Sequence, residues 1–261
     1  MIPRNTVKEI HPSSAFSGES VWDPKGAGYA SFVEQYVFWN RALAESGYQK
    51  ILHNEIKSFL PQHVSLALDL GCGPGDHTLW LAEQVDRVIG IDISRTMIGL
   101  ARRQRSEKGM KNVEFMLADA RCLPFRQERL DFVISINALQ RLSPKEVFSR
   151  LPRLIAPGGR VVITELVTPK PRLDAHALWQ ALGVIRKAPK YAKDCGLRTM
   201  LRMLSFEMGT KWIRYNSENV RYGYRMTQET FEATYQRLLP GCNFKRYGWR
   251  CAVFWEASRH V

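Results

Sequence analysis

Short apolar runs alternate with longer amphipathic stretches through the middle of the chain. The runs fall at 64–70, 87–91, 113–117, 132–136 and 161–163, and between them 76–85, 95–107 and 144–155 read as helices. Near-continuous apolar strands separated by helices predict a parallel sheet covered on both faces. Five such units make an α/β, doubly wound, Rossmann-like sheet. Ser94 is placed to cap the helix at 95–107 and Gly109 to end it. Upstream, helices are predicted at 29–44, with Phe32, Val33, Tyr36, Phe38, Trp39 and Leu43 as apolar positions, and at 47–60, closed by Pro61. After Glu165 the pattern breaks, and 167–226 reads as irregular helices rich in Met, Tyr and Trp. A helix resumes at 228–239 behind Thr227 as N-cap. Two strand-like runs follow, 243–247 and 251–257, with Gly248 at the turn. That connection is too short for a parallel crossover, so an antiparallel hairpin completes a mostly parallel, seven-stranded sheet.

The pattern divides the chain into an N-terminal helical segment (1–60), a core (61–166), a helical cap insertion (167–226) and a C-terminal completion of the core (227–261). The N-terminal segment and the insertion are expected to cover the open edge of the sheet, as mobile segments there commonly do.

Composition narrows the class. The 261 residues are 45% hydrophobic and 24% charged, which fits a globular chain and not a disordered one. No apolar stretch approaches the length of a membrane span. Arg4, Lys8 and Glu9 without an apolar run imply no signal peptide. The cysteines at 72, 122, 195, 242 and 251 form no CxxC pair, so neither a disulfide framework nor a metal site is expected. A reduced, cytoplasmic protein is the resulting expectation. Of the net charge of +13, residues 170–226 supply eight, with 12 basic against 4 acidic groups. Such a surplus either attracts an anionic partner or forms a solvated face.

The densest chemistry is Asp69-Leu70-Gly71-Cys72-Gly73-Pro74-Gly75-Asp76, which follows a predicted strand and opens a helix. Glycines let backbone approach a ligand closely, and free N–H groups at a helix start suit a carboxylate or phosphate. The same loop could be a tight turn without ligand. A dinucleotide fingerprint needs its third glycine where Asp76 stands, so the spacing speaks against NAD. Asp92 ends the second strand about 20 positions on, where an acidic residue accepts from ribose hydroxyls or caps a helix. Asp119 follows the third strand and Asn137 the fourth. All four features fall on the carboxyl edge of the sheet, where open parallel sheets bind ligands.

The motifs LDLGCGPG (68–75), GIDIS (90–94), LADARCLPF (117–125), LDFVISINALQRL (130–142) and LIAPGGRVVITE (154–165) occur in order. With them the chain resembles the class I S-adenosylmethionine-dependent methyltransferases, in particular the small-molecule branch that includes the quinone methyltransferases. The resemblance covers about 60–170 well and 227–261 in pattern only. It implies S-adenosylmethionine as cofactor, with Asp69, Gly71, Cys72, Gly73 and Gly75 lining its methionine part. Asp92, with Ile93, would meet the ribose hydroxyls. Asp119 would stand at the adenine amino group with the Ala120 backbone beside it, and Asn137 near the cofactor. The family often has His-Leu after the fourth strand, and here the pair is Arg141-Leu142.

The catalytic residue is less legible than the cofactor loop. Candidate bases are His176, Tyr222, Tyr224 and Glu165, the last with the alternative role of orienting other groups. Tyr36, Arg141, His176 and Tyr222 are candidate substrate contacts. The Met and aromatic content of the insertion suits an apolar or aromatic acceptor. Its positive charge suits an anionic group on that acceptor, or peripheral contact with an anionic membrane. A small aromatic metabolite, quinone or isoprenoid is therefore the expected partner. The alternatives are an RNA methyltransferase, which the basic composition favours but no RNA-binding module supports, and a non-catalytic S-adenosylmethionine-binding protein.

Overall fold

The computed structural model describes residues 29–45, 48–123, 125–139, 144–167, 186, 188–193, 195–209, 226–248 and 250–258. These fall into two compact units. The first holds the described residues of 59–168 and 226–261. The second joins those of 16–58 to those of 169–225.

The first unit is built on one seven-stranded sheet. Its strands are β1 (Ala67–Leu70), β2 (Val88–Asp92), β3 (Val113–Leu117), β4 (Leu130–Ile136), β5 (Ile155–Leu166), β6 (Asn243–Tyr247) and β7 (Arg250–Glu256). Their order is β3-β2-β1-β4-β5-β7-β6. The pairs among β1–β5 are parallel, while β7 runs antiparallel to both β5 and β6. This is the mostly parallel, doubly wound sheet with a terminal antiparallel hairpin that the apolar pattern predicts. The order turns back at β1, whose neighbours are β2 and β4. A crevice opens outside the strand ends at such a reversal, so the topology points the ligand site at the loop after β1.

Local sequence accounts for most boundaries. In α4 (Arg95–Glu107) the Ser94 hydroxyl accepts from the Met97 N–H, and Gly109 follows with φ 64°. In α7 (Gln228–Leu238, after α6, given below) Thr227 caps the Thr230 N–H in the same way. The helix expected at 76–85 ends earlier, as α3 (Asp76–Ala82), and the Asn112 amide donates to the carbonyls of Ala82 and Val85 beyond it. The single helix expected at 144–155 is in fact α5 (Pro144–Phe148) followed by a 3₁₀ turn at Leu151–Leu154. Pro152 has no N–H to donate four residues back, and its ring blocks a continued helix. The strand expected at 161–163 is much longer, Ile155–Leu166. Leu130 faces Ile155 while Phe132 faces Arg160, so the extra residues between them bulge out.

One face of the sheet is closed by α5 and α7. Phe148 meets Tyr235 edge-on and Phe231 meets it tilted, in one buried cluster with strand residues such as Leu68, Val133 and Ile163. The second unit has its own core. It contains α1 (Tyr29–Glu45), α2 (Tyr48–Ser58) and α6 (Leu197–Glu207), and it buries Ala42, Tyr191, Met200, Met203 and Phe206. The Tyr191 hydroxyl donates to buried Glu207 at 2.9 Å. No helix among the described residues is long and apolar enough to cross a membrane.

Phe132 lies on the central strand β4 and is fully buried. Phe132→Ala should lower unfolding free energy by about 3–5 kcal/mol. Urea denaturation should show a lower midpoint with an unchanged slope.

Candidate functional site

The loop after β1 is drawn tight by bonds to β2. The N–H groups of Gly71 and Cys72 both donate to the Ile91 carbonyl, at 2.8 and 2.9 Å. The Gly73 N–H donates to the Asp92 carboxylate at 2.9 Å, and the Gly75 N–H to the Cys72 carbonyl at 3.0 Å. Gln104 of α4 donates to the Pro74 carbonyl at 2.6 Å. β2 and the loop itself thus engage the amides of Gly71, Cys72, Gly73 and Gly75.

Two glycines show what the loop requires. Gly75 has φ 92°, and a Cβ there would come within 2.7 Å of the Phe115 ring. At Gly73, with φ 54°, a Cβ would meet nothing within 4 Å. The first glycine is demanded by packing. The second fronts open space, as backbone approached by a ligand would.

The side chains around the loop are acidic. Burial pushes the Asp69 carboxyl up to about 7; the Thr78 hydroxyl, donating at 2.6 Å, offsets part of this, and the charge of Asp92 adds to it. Burial also raises Asp92, against the amide bonds from Ser94, Gly73 and Ile93. The Gly73 N–H meets Oδ2 and the Ser94 N–H meets Oδ1 at 2.8 Å, and with Ile93 three amides share about four acceptor sites, which leaves room for one more donor. The Cys72 thiol is raised well above its usual value by burial and by the charges of Asp92 and Asp69, so it stays protonated and is no nucleophile.

Further along the same edge, buried Asp119 is paired with Arg121 at 2.6 Å. Burial alone would raise its pKa, but the side-chain and backbone bonds from Arg121 outweigh this and hold it below the usual range. Asn137, just past β4, has φ 54° and donates its N–H to the Thr164 carbonyl at 2.7 Å. Its Oδ1 is buried with no hydrogen-bond partner among the described residues. Glu165 of β5 is buried, and its Oε1 accepts from the Leu139 N–H at 3.0 Å, so it steadies the loop after β4.

Residues 67–159, the stretch that carries this edge, match the family model described as a methyltransferase domain. Residues 67–159 thus form a methyltransferase domain, set on the fold of S-adenosylmethionine-dependent methyltransferases. A demethylmenaquinone methyltransferase of Lactococcus lactis is 40% identical over 111 residues, covering 39% of this chain and 42% of the relative. An O-methyltransferase of Penicillium expansum is 33% identical over 144 residues, covering 54% and 51%. The chain thus spans about half the length of these relatives. A phosphoethanolamine N-methyltransferase of Haemonchus contortus, solved with S-adenosyl-L-methionine, shares the fold. Its TM-score is 0.51 at 17% identity, over 95% of this chain and 61% of that one.

Within the methyltransferase domain, Asp69, Gly71, Cys72, Gly73, Gly75, Asp92, Ile93, Asp119, Ala120, Asn137 and Glu165 all belong to the first unit. Tyr36 belongs to the second, half-buried against that unit's own core. Arg141, His176, Tyr222 and Tyr224 lie outside the described residues. Sequence reasoning passed over Thr78, Gln104 and Arg121. Only Arg121 had a local signal, since Asp-x-Arg after a strand allows an Asx turn closed by its own side chain. Among the described residues no cluster of His, Cys, Asp and Glu is arranged to hold a metal ion.

Asp69 gives a pH dependence of known sign. Its folded pKa of about 7 lies above the ordinary value of 3.8, so the folded chain binds the extra proton between them. Its contribution to stability is full below the lower value and is lost as pH rises through about 7. In thermal melts from pH 4 to 8, the stability of the parent relative to Asp69→Asn should fall with rising pH. A flat or rising difference contradicts the assignment.

Proposed function

We propose that this chain transfers a methyl group from S-adenosylmethionine to a small, largely apolar or aromatic acceptor such as an aromatic metabolite, quinone or isoprenoid. The observation that carries the cofactor reading is the electrostatic character of the β1 loop. The amides of Gly71, Cys72, Gly73 and Gly75 are engaged internally, while Asp69 and Asp92 stand beside the loop and Asp119, paired with Arg121, follows the next strand. Such a site attracts a nucleoside bearing cationic sulfur and ammonium groups and repels a pyrophosphate.

The residues take distinct parts in this reading. Asp92 accepts from a ribose hydroxyl on the acceptor site that Gly73, Ser94 and Ile93 leave open. Asp69 and the Gly71–Gly75 backbone flank the methionine part, and the orphaned Asn137 Oδ1 accepts from a ligand N–H. Ile93 and Ala120 frame the nucleoside from the adjoining strand ends, and Asp119 faces the adenine amino group.

When bound, S-adenosylmethionine supplies a methyl group already activated for in-line displacement. The chain's task is then alignment, and well-oriented approach supplies on the order of 7–11 kcal/mol. A base adds about 10²–10⁴-fold where the nucleophile carries a tightly held proton. His176, Tyr222, Tyr224 and Glu165 are its candidates, and Arg141, Tyr36, His176 and Tyr222 are those for substrate contact.

Three facts support the acceptor class: the Met- and aromatic-rich composition of 167–226, the basic surplus there, and the relatives named for quinone and oxygen methylation. In calorimetry S-adenosylhomocysteine should bind and NAD should not. Asp92→Ala should weaken binding about 10- to 100-fold, the size of hydrogen bonds to a charged acceptor. Labelled methyl should appear in apolar or aromatic acceptors. Transfer only to RNA or protein overturns the acceptor class, and binding without turnover on any acceptor overturns the enzymatic reading.

A further inference from the structure

Among the described residues, the hydrogen bonds to the Asp119 carboxylate come from Arg121. The Arg121 N–H donates to Oδ1 at 2.9 Å, Nε to Oδ1 at 3.0 Å and to Oδ2 at 3.1 Å, and Nη2 to Oδ2 at 2.6 Å. A carboxylate offers about four lone-pair directions, so these contacts fill both oxygens. The main chain already places Asp119 without the guanidinium. The Ala118 N–H donates to the Asp92 carbonyl at 3.1 Å, the Cys122 N–H to the Asp119 carbonyl at 2.9 Å, and the Arg121 N–H closes the turn on Oδ1. The guanidinium therefore adds occupancy more than placement. Its side chain is 22% exposed against 7% for Asp119, so it has a route outward. Exposed Glu146 of α5 is within electrostatic reach as a second anionic partner.

We propose that Arg121 is an intramolecular occupant of the purine amino subsite, which holds Asp119 in the free chain and must give up part of its fork before adenosine's exocyclic amine can bond there. The proposal rests on the reading that Asp119 faces the adenine amino group. A neutral aromatic amine brings one N–H against a charged fork, so occupancy by Arg121 weakens adenosine binding. It also blunts the choice of base. While the fork stays in place, its donors tolerate a 6-oxo purine, which a bare carboxylate rejects because an oxygen would face an oxygen.

The test is calorimetric titration of the full chain at pH 8 with S-adenosylhomocysteine and with S-inosylhomocysteine, in which the amine is replaced by oxygen. Arg121→Ala should bind the adenosine form about three- to thirtyfold more tightly and the inosine form no better, so that the ratio between them widens at least threefold. Arg121→Gln, which keeps length without charge, should move in the same direction, and thermal melts establish that both variants fold. Weaker binding of the adenosine form by both variants, or an equal change for the two nucleosides, overturns the proposal. If the parent chain binds neither nucleoside, the cofactor reading itself fails. A parent that binds the adenosine form, with variants that leave the ratio unchanged, overturns only the role of Arg121.

Discussion

The bond from the Gly73 N–H to the Asp92 carboxylate is the interaction on which the rest depends. It joins the loop after β1 to the end of β2 across 19 residues, and it exists because those two strands are parallel neighbours in register. It fixes a negative charge against backbone at the point where the sheet order reverses. Asp69 is close by, and burial raises the pKa of both groups, with the charge of Asp92 adding to the rise at Asp69. In the proposed reading a cationic nucleoside offsets this buried acidity, whereas a pyrophosphate adds to it.

The division of labour along the chain follows from the same edge. The first unit supplies the sheet, the loop and the carboxylates, and its helices α5 and α7 bury apolar side chains on a sheet face. The second unit closes around its own core of Met200, Met203, Phe206 and Tyr191. A doubly wound sheet of this kind carries many chemistries, so the acceptor has to be argued from side chains and not from architecture. Activation is supplied by the cofactor, which explains why the binding edge is rich in recognisable residues while no single base stands out among them.

The sheet was legible because each parallel strand, covered on both faces, reads as an unbroken apolar run and each loop carries its own punctuation. Ser94, Thr227 and Gly109 act as the pattern predicts. The helix expected at 144–155 failed because apolar spacing gives no weight to one missing N–H, that of Pro152. The length of β5 was hidden because its bulged half is Ala-Pro-Gly-Gly, which reads as a turn. At the site, the acidic residues were visible as residue types at strand ends. The engagement of the loop amides was not, since it depends on which strand lies beside β1. Thr78 and Gln104 reach Asp69 and Pro74 from helices, contacts that exist only once the chain has folded. Arg121 is the exception, being two residues from its partner.

A crystal structure of the full chain grown with S-adenosylhomocysteine is the most direct measurement of the central claim. The account predicts ribose hydroxyls within hydrogen-bonding distance of Asp92, the amino-acid portion over Gly71–Gly73, and the purine beside Asp119. A nucleoside bound away from the ends of β1 and β2, or one whose ribose makes no contact with Asp92, would contradict it.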